Sequence, residues 1–62
     1  MTGGKMLPSD PNILLSYINT KLRDEFPSLD ELCNSLDADK DEIINTLKAA
    51  GYRYDPVINQ FV

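Results

Sequence analysis

The chain has 62 residues, ten acidic and six basic side chains, a net charge of −4, one cysteine and no histidine. That length allows one small core, and 17 Leu, Ile, Val and Phe residues are too many for an acidic disordered chain. The composition excludes an internal disulfide, a Cys/His zinc site and a dense polycationic surface, and no apolar run is long enough to span a bilayer.

With no covalent or metal staple, either efficient helix packing or a second chain must complete the core. A lone Cys33 in an apolar helical pattern, without a signal-peptide pattern, points to a cytoplasmic protein. Residues 1–5 carry no pattern and precede a second methionine, Met6. Codons for Gly3-Gly4-Lys5-Met6 can spell a purine-rich ribosome-binding block followed by a start codon. Residues 1–5 are therefore expected to be a leader or a disordered N-terminus, and residues 6–62 a single domain.

The first helix is expected at residues 11–25. Asp10 can cap its free amides and Pro11 suits the first helical position, where its missing donor costs nothing. Leu14, Ile18 and Leu22 recur at four-residue spacing, with Leu15 and Phe26 widening the stripe, and Pro27 ends the helix. Ser28-Leu29-Asp30-Glu31 has the spacing of a capping box, in which the serine bonds forward and the glutamate bonds back. Leu29, Leu32, Cys33 and Leu36 then share one helical face. Asp37-Ala38-Asp39 breaks that helix, and Asp39 with Glu42 repeats the capping-box spacing. Ile43, Ile44, Leu47 and Ala50 give a third stripe, and Gly51 marks its stop. Tyr52 and Tyr54 should share one face of a strand with Arg53 on the other. Asp55-Pro56 opens a turn, and residues 60–62 return as a second strand.

The short link between the second and third helices makes them cross steeply. The fold class is thus mainly α with a small β-hairpin: winged helix-turn-helix-like, three helices followed by a C-terminal two-stranded wing. Such folds read DNA by placing the N-terminal end of the third helix in the major groove. Here that end holds Asp39, Lys40, Asp41 and Glu42, three carboxylates against one ammonium. Tight DNA binding uses roughly six to ten phosphate contacts, and this chain has six scattered cations in all. A nucleic-acid role would fall to Lys40, Asn45, Lys48 and Arg53, with help from Lys21 and Arg23.

On the first helix, Ser16, Asn19, Thr20 and Arg23 form one polar stripe. Asn19, Lys21, Arg23 and Asp24 are the candidate partner-binding residues; the alternative is a solvated face carrying ordinary side-chain pairs. The aromatic residues Tyr17, Phe26, Tyr52, Tyr54 and Phe61 offer a stacking platform for bases, but Tyr52 and Phe61 fit a core better. Cys33 reads as a buried apolar filler. Asp37, Asp39, Asp41 and Glu42 lack the spacing of a calcium loop, so no metal site and no cofactor are expected. Without histidine or a phosphate-cradling glycine loop, neither is catalysis.

Asp10-Pro11, Ser16, Asn19-x-Lys21-Leu22-Arg23-Asp24, Gly51-Tyr52-x-Tyr54-Asp55 and Asn59-Gln60-Phe61 together resemble a family of very short bacterial proteins. That family is described as a domain of unknown function and marked by an Asn-x-Lys-Leu-Arg-Asp motif. The resemblance covers nearly the whole chain from Met6 and implies a bacterial source and a free-standing domain. It brings no activity, substrate or catalytic residue, but it favours a role beyond solvation for Asn19, Lys21, Arg23 and Asp24. Arg23 and Asp24, for instance, would anchor the first helix to the hairpin. The expected function is macromolecule binding without catalysis, through an unknown protein partner or a homodimer built on Ile58, Phe61 and Val62. The alternative is a nucleic-acid-binding accessory or transcriptional regulatory protein.

Overall fold

The computed structural model describes residues 7–62. The expectations for residues 1–5 and for Met6 as initiator lie outside them. Five elements follow in order: α1 (Pro11–Asp24), α2 (Leu29–Leu36), α3 (Lys40–Ala49), β1 (Tyr54–Asp55) and β2 (Gln60–Phe61). This is the mainly helical architecture expected, three helices and then a two-stranded antiparallel hairpin.

Local chemistry explains each boundary. The Asp10 carboxylate accepts from the amides of Asn12 at 2.8 Å and Ile13 at 3.4 Å, with Pro11 in the first turn. α1 ends at Asp24, and the amides of Glu25 and Phe26 both donate to the Lys21 carbonyl, at 2.8 and 3.0 Å. Ser28 Oγ accepts from the Glu31 amide at 3.2 Å, but Glu31 makes no return bond among the described residues, so the capping box is one-sided. Asp39 starts α3 by accepting from the amides of Asp41 at 3.0 Å and Glu42 at 3.3 Å.

The two later helices stop by the same hydrogen-bond pattern. At the end of α3, Gly51 takes φ +93°, its amide bonds to the Lys48 carbonyl at 2.9 Å, and the Tyr52 amide reaches back to the Leu47 carbonyl at 2.9 Å. At the end of α2, Asp37 holds the left-handed position at φ 52°, and the Ala38 amide bonds to the Cys33 carbonyl at 2.9 Å. Both ends are Schellman motifs. The second puts a residue with a Cβ where glycine is favoured.

The core joins Leu14, Ile18 and Leu22 of α1 to Leu29, Leu32, Cys33 and Leu36 of α2, Ile43 and Leu47 of α3, and Phe61 of β2. Full burial of one such side chain contributes about 1.5–3 kcal/mol. Leu15, Phe26, Ile44 and Tyr52 are half-buried at its margin, and Ala50, expected inside, is exposed because it caps α3 rather than continuing its apolar face. No helix among the described residues is long and apolar enough to cross a membrane.

In the hairpin, Tyr54 stands opposite Phe61 and Asp55 opposite Gln60. Arg53 and Val62 extend the ladder by exchanging two backbone bonds of 2.9 and 2.8 Å. The first strand begins at Tyr54. Tyr52 completes the stop of α3, so the two tyrosines do not share a strand as the alternation suggested. Asp55 Oδ1 accepts from the Val57 amide at 2.9 Å, the side-chain turn that Asp-Pro promised. β2 packs against α1 on one side and β1 on the other, which leaves β1 outermost.

Candidate functional site

Three polar residues of the resemblance motifs, Asn19, Asn59 and Gln60, meet at the seam between α1 and the hairpin. In an antiparallel ladder, residues alternate between pairs that exchange backbone bonds and pairs that do not. Arg53 and Val62 exchange both bonds, so the next pair, Tyr54 with Phe61, points its backbone groups outward. On the Phe61 side they meet the Asn19 side chain. Its Oδ1 accepts from the Phe61 amide at 2.8 Å and its Nδ2 donates to the Phe61 carbonyl at 3.0 Å. One side-chain amide thereby replaces a neighbouring strand. Its orientation follows from chemistry, since the backbone N–H can only donate and the carbonyl can only accept.

Two further side chains complete the seam. Asn59 sits at φ 56° and turns its Nδ2 onto the carbonyls of Leu22 and Phe26, both at 3.0 Å, which caps the end of α1 from a distance. Its Oδ1 accepts from the Tyr54 hydroxyl at 2.6 Å. Gln60 Nε2 donates to the Asn19 carbonyl at 3.0 Å and to the Asn59 carbonyl at 2.9 Å. Above them the Tyr54 and Phe61 rings lie 5.4 Å apart, tilted by 53°. No buried side-chain polar atom is left without a partner among the described residues.

The four residues singled out on α1 therefore separate. Asn19 bonds within its own chain through both amide atoms. Leu22, between the two cations, is in the core and lends its carbonyl to Asn59. Lys21 pairs with Glu25 at 2.7 Å and lies 5.6 Å from the centre of the Tyr17 ring. The bond to Glu25 pushes the Lys21 ammonium above its ordinary value. Arg23 bonds its neighbour Asp24 at 2.9 and 3.2 Å, raising the guanidinium and holding the Asp24 carboxyl below the usual range. Contrary to the expected anchor, neither Arg23 nor Asp24 makes a hydrogen bond or ion pair to the hairpin among the described residues. The anchors are Asn19, Asn59 and Gln60, and both charged groups face solvent, where such pairs contribute little.

The residues of the nucleic-acid alternative also separate. Lys40 is held by Asp30 at 2.7 Å, and that bond raises its ammonium. Asn45 is exposed on α3. Lys48 and Arg53 come together in a shallow groove of about 280 Å³, lined also by Ile44, Gly51 and Tyr52. Of the aromatic residues, Phe61 is 3% exposed and unavailable to bases or to a partner, while Tyr52 is half-buried with its hydroxyl 3.5 Å from Asn12 Oδ1. Cys33 is buried, and burial pushes its thiol up. Among the described residues no group of three or more His, Cys, Asp or Glu is arranged to hold a metal ion.

The open edge of β1 and the bonding roles of Asn59 and Gln60 were not assigned from sequence. The signal for Asn59 is an asparagine at the last position of the turn, where the left-handed conformation suits that residue. Over residues 8–61 the chain matches the family described as a domain of unknown function (DUF4250), and it belongs to that family. No curated protein and no solved structure matches it.

Proposed function

We propose that this domain is a non-catalytic protein-interaction module that works by contact, in the first instance through its hairpin tip. One observation carries the reading. The hairpin is hydrogen-bonded to α1 through Asn19, Asn59 and Gln60, yet its tip presents Val57, 89% exposed, and Ile58, 54% exposed. A strongly exposed apolar pair on a tightly tied support suits a partner's apolar patch or a second copy of the chain. Val62, also exposed, can extend the contact, whereas Phe61 is committed to the core. Catalysis is left out because the chain has no histidine and its one thiol is buried with a raised pKa. A single buried cysteine suits a cytoplasmic setting.

Sedimentation velocity across the micromolar range tests self-association. The wild-type chain should sediment faster as concentration rises, and V57S/I58S should stay monomeric. For a different partner, the protein captured by the wild-type chain should be lost with the same double variant. A strict monomer whose capture profile is indifferent to the tip removes the reading. The nucleic-acid alternative predicts salt-dependent retention on random DNA or RNA. No retention at low salt retires it.

A further inference from the structure

We propose that the groove between the end of α3 and the start of β1 binds an extended acidic peptide, which adds as a third strand to the open edge of β1. This rests on the reading of the domain as a protein-interaction module, and it names a second site and its ligand chemistry.

Three observations lie side by side along the chain from α3 to Tyr54, two in the groove and one on the strand edge it leads to. The first is the strand edge. Phe61 directs its backbone groups to Asn19, but the matching groups of Tyr54 point the other way, and no described residue bonds them. An unpaired edge is a template for another extended chain. The second is shape. The groove of about 280 Å³ is walled by Tyr52 and Arg53, which lead directly into Tyr54, and by Ile44 and Lys48, one turn apart on α3. At Gly51 a side chain would meet nothing within 4 Å, so this wall stands open. Ile44 and Tyr52 suit an aliphatic side chain.

The third is charge. Of the cations in the described residues, Lys21, Arg23 and Lys40 are held by Glu25, Asp24 and Asp30. Lys48 and Arg53 are in no ion pair, and both line this groove. Among the described residues, the positive charge outside ion pairs is thus gathered at one place, in a chain of net charge −4. A backbone edge, an aliphatic pocket and two cations together select an extended segment of alternating aliphatic and carboxylate residues. A nucleic acid fits less well, because two cations fall short of roughly six to ten phosphate contacts.

The probe is an acetylated and amidated pentapeptide, Glu-Val-Asp-Val-Glu, added to the isotope-labelled full chain and followed by amide NMR. Saturable shifts are expected at Ile44, Lys48 and residues 51–55, with slower hydrogen exchange of the Tyr54 amide. K48E and R53E should each weaken binding roughly tenfold or more while leaving the circular dichroism spectrum unchanged. The proposal is overturned by no shift at millimolar peptide, or by an equal response to Lys-Val-Lys-Val-Lys. Shifts confined to Val57 and Ile58 overturn it as well. Concentration-dependent shifts of the groove residues without peptide would give the groove to a second copy. Shifts from a short oligonucleotide, with none from the acidic peptide, would give it to nucleic acid. Either overturns the peptide assignment. A groove that fails while V57S/I58S still abolishes association leaves the tip reading standing, and failure of both removes both.

Discussion

Asn19→Ala tests the seam most directly. The substitution removes two hydrogen bonds, of 2.8 and 3.0 Å, that satisfy the Phe61 amide and carbonyl. A net value of about 1 kcal/mol per bond gives a loss of about 2 kcal/mol. Two corrections oppose one another. Phe61 is 3% exposed, so water reaches its orphaned backbone groups poorly, and each group left dry adds about 1–3 kcal/mol. Alanine is the better helix former, which returns about 0.5 kcal/mol. With both groups rewetted the loss is about 1.5 kcal/mol, and each group left dry raises it, so the expected destabilisation is at least about 1.5 kcal/mol, a fall in Tm of at least roughly 6 °C for a domain this small. Urea and thermal unfolding followed by circular dichroism measure it, with Asn45→Ala as the exposed α3 control. Native-state hydrogen exchange adds a local readout, since the Phe61 amide should lose protection first. Asn19→Asp sharpens the test. A carboxylate can still accept from the Phe61 amide but repels its carbonyl, so its loss should be larger at neutral pH than in acid, where the protonated group can donate. An Asn19→Ala variant within about 0.5 kcal/mol of wild type would refute the assignment of Asn19 as a substitute strand.

The left-handed positions give a pair of opposite signs. Asp37→Gly should stabilise by up to about 1 kcal/mol, because glycine takes φ 52° without Cβ strain. Gly51→Ala should destabilise by about 1–2 kcal/mol from backbone strain alone, since a Cβ there meets no atom within 4 Å. Both are read by urea unfolding. Asn59→Gly keeps the allowed backbone but loses the bonds to Leu22, Phe26 and Tyr54, so it should still destabilise, and Asn59→Ala should destabilise more. Burial raises the Cys33 thiol, so the folded state holds that proton more tightly than the unfolded chain. This contribution is complete below the ordinary thiol range and is lost as pH climbs from there through the raised value of the folded state. Stability should therefore fall more steeply with alkaline pH in the wild-type chain than in Cys33→Ala, and the native thiol should react slowly with a thiol reagent until the chain unfolds. Asp30→Ala should leave the urea midpoint nearly unmoved, because its partner Lys40 and the pair itself lie in solvent.

The helix starts, the stops and the buried faces were written into neighbouring residues, and a short window of chain suffices to read them. Asp10 with Pro11, Ser28, Asp39 and Gly51 act on amides and carbonyls no more than a few positions away. Leu14, Ile18 and Leu22 declare their face by spacing alone. The limits of local reading appear at Ala50 and Tyr52, where continuing a period one step past Gly51's neighbourhood misplaced a cap as core and a helix stop as strand.

What Asn19 does could only be decided by the folded chain. A side-chain amide offers the same donor and acceptor to water, to a partner or to a backbone. Only the return of Phe61, 42 positions later, selects among them. The same holds for Asn59 reaching Leu22 across 37 positions, and for Lys48 and Arg53, whose meeting depends on how the chain leaves α3. Local hydrogen bonds and apolar spacing are properties of a segment. The pairing of one segment's polar groups with another's depends on distances that exist only after the core has closed.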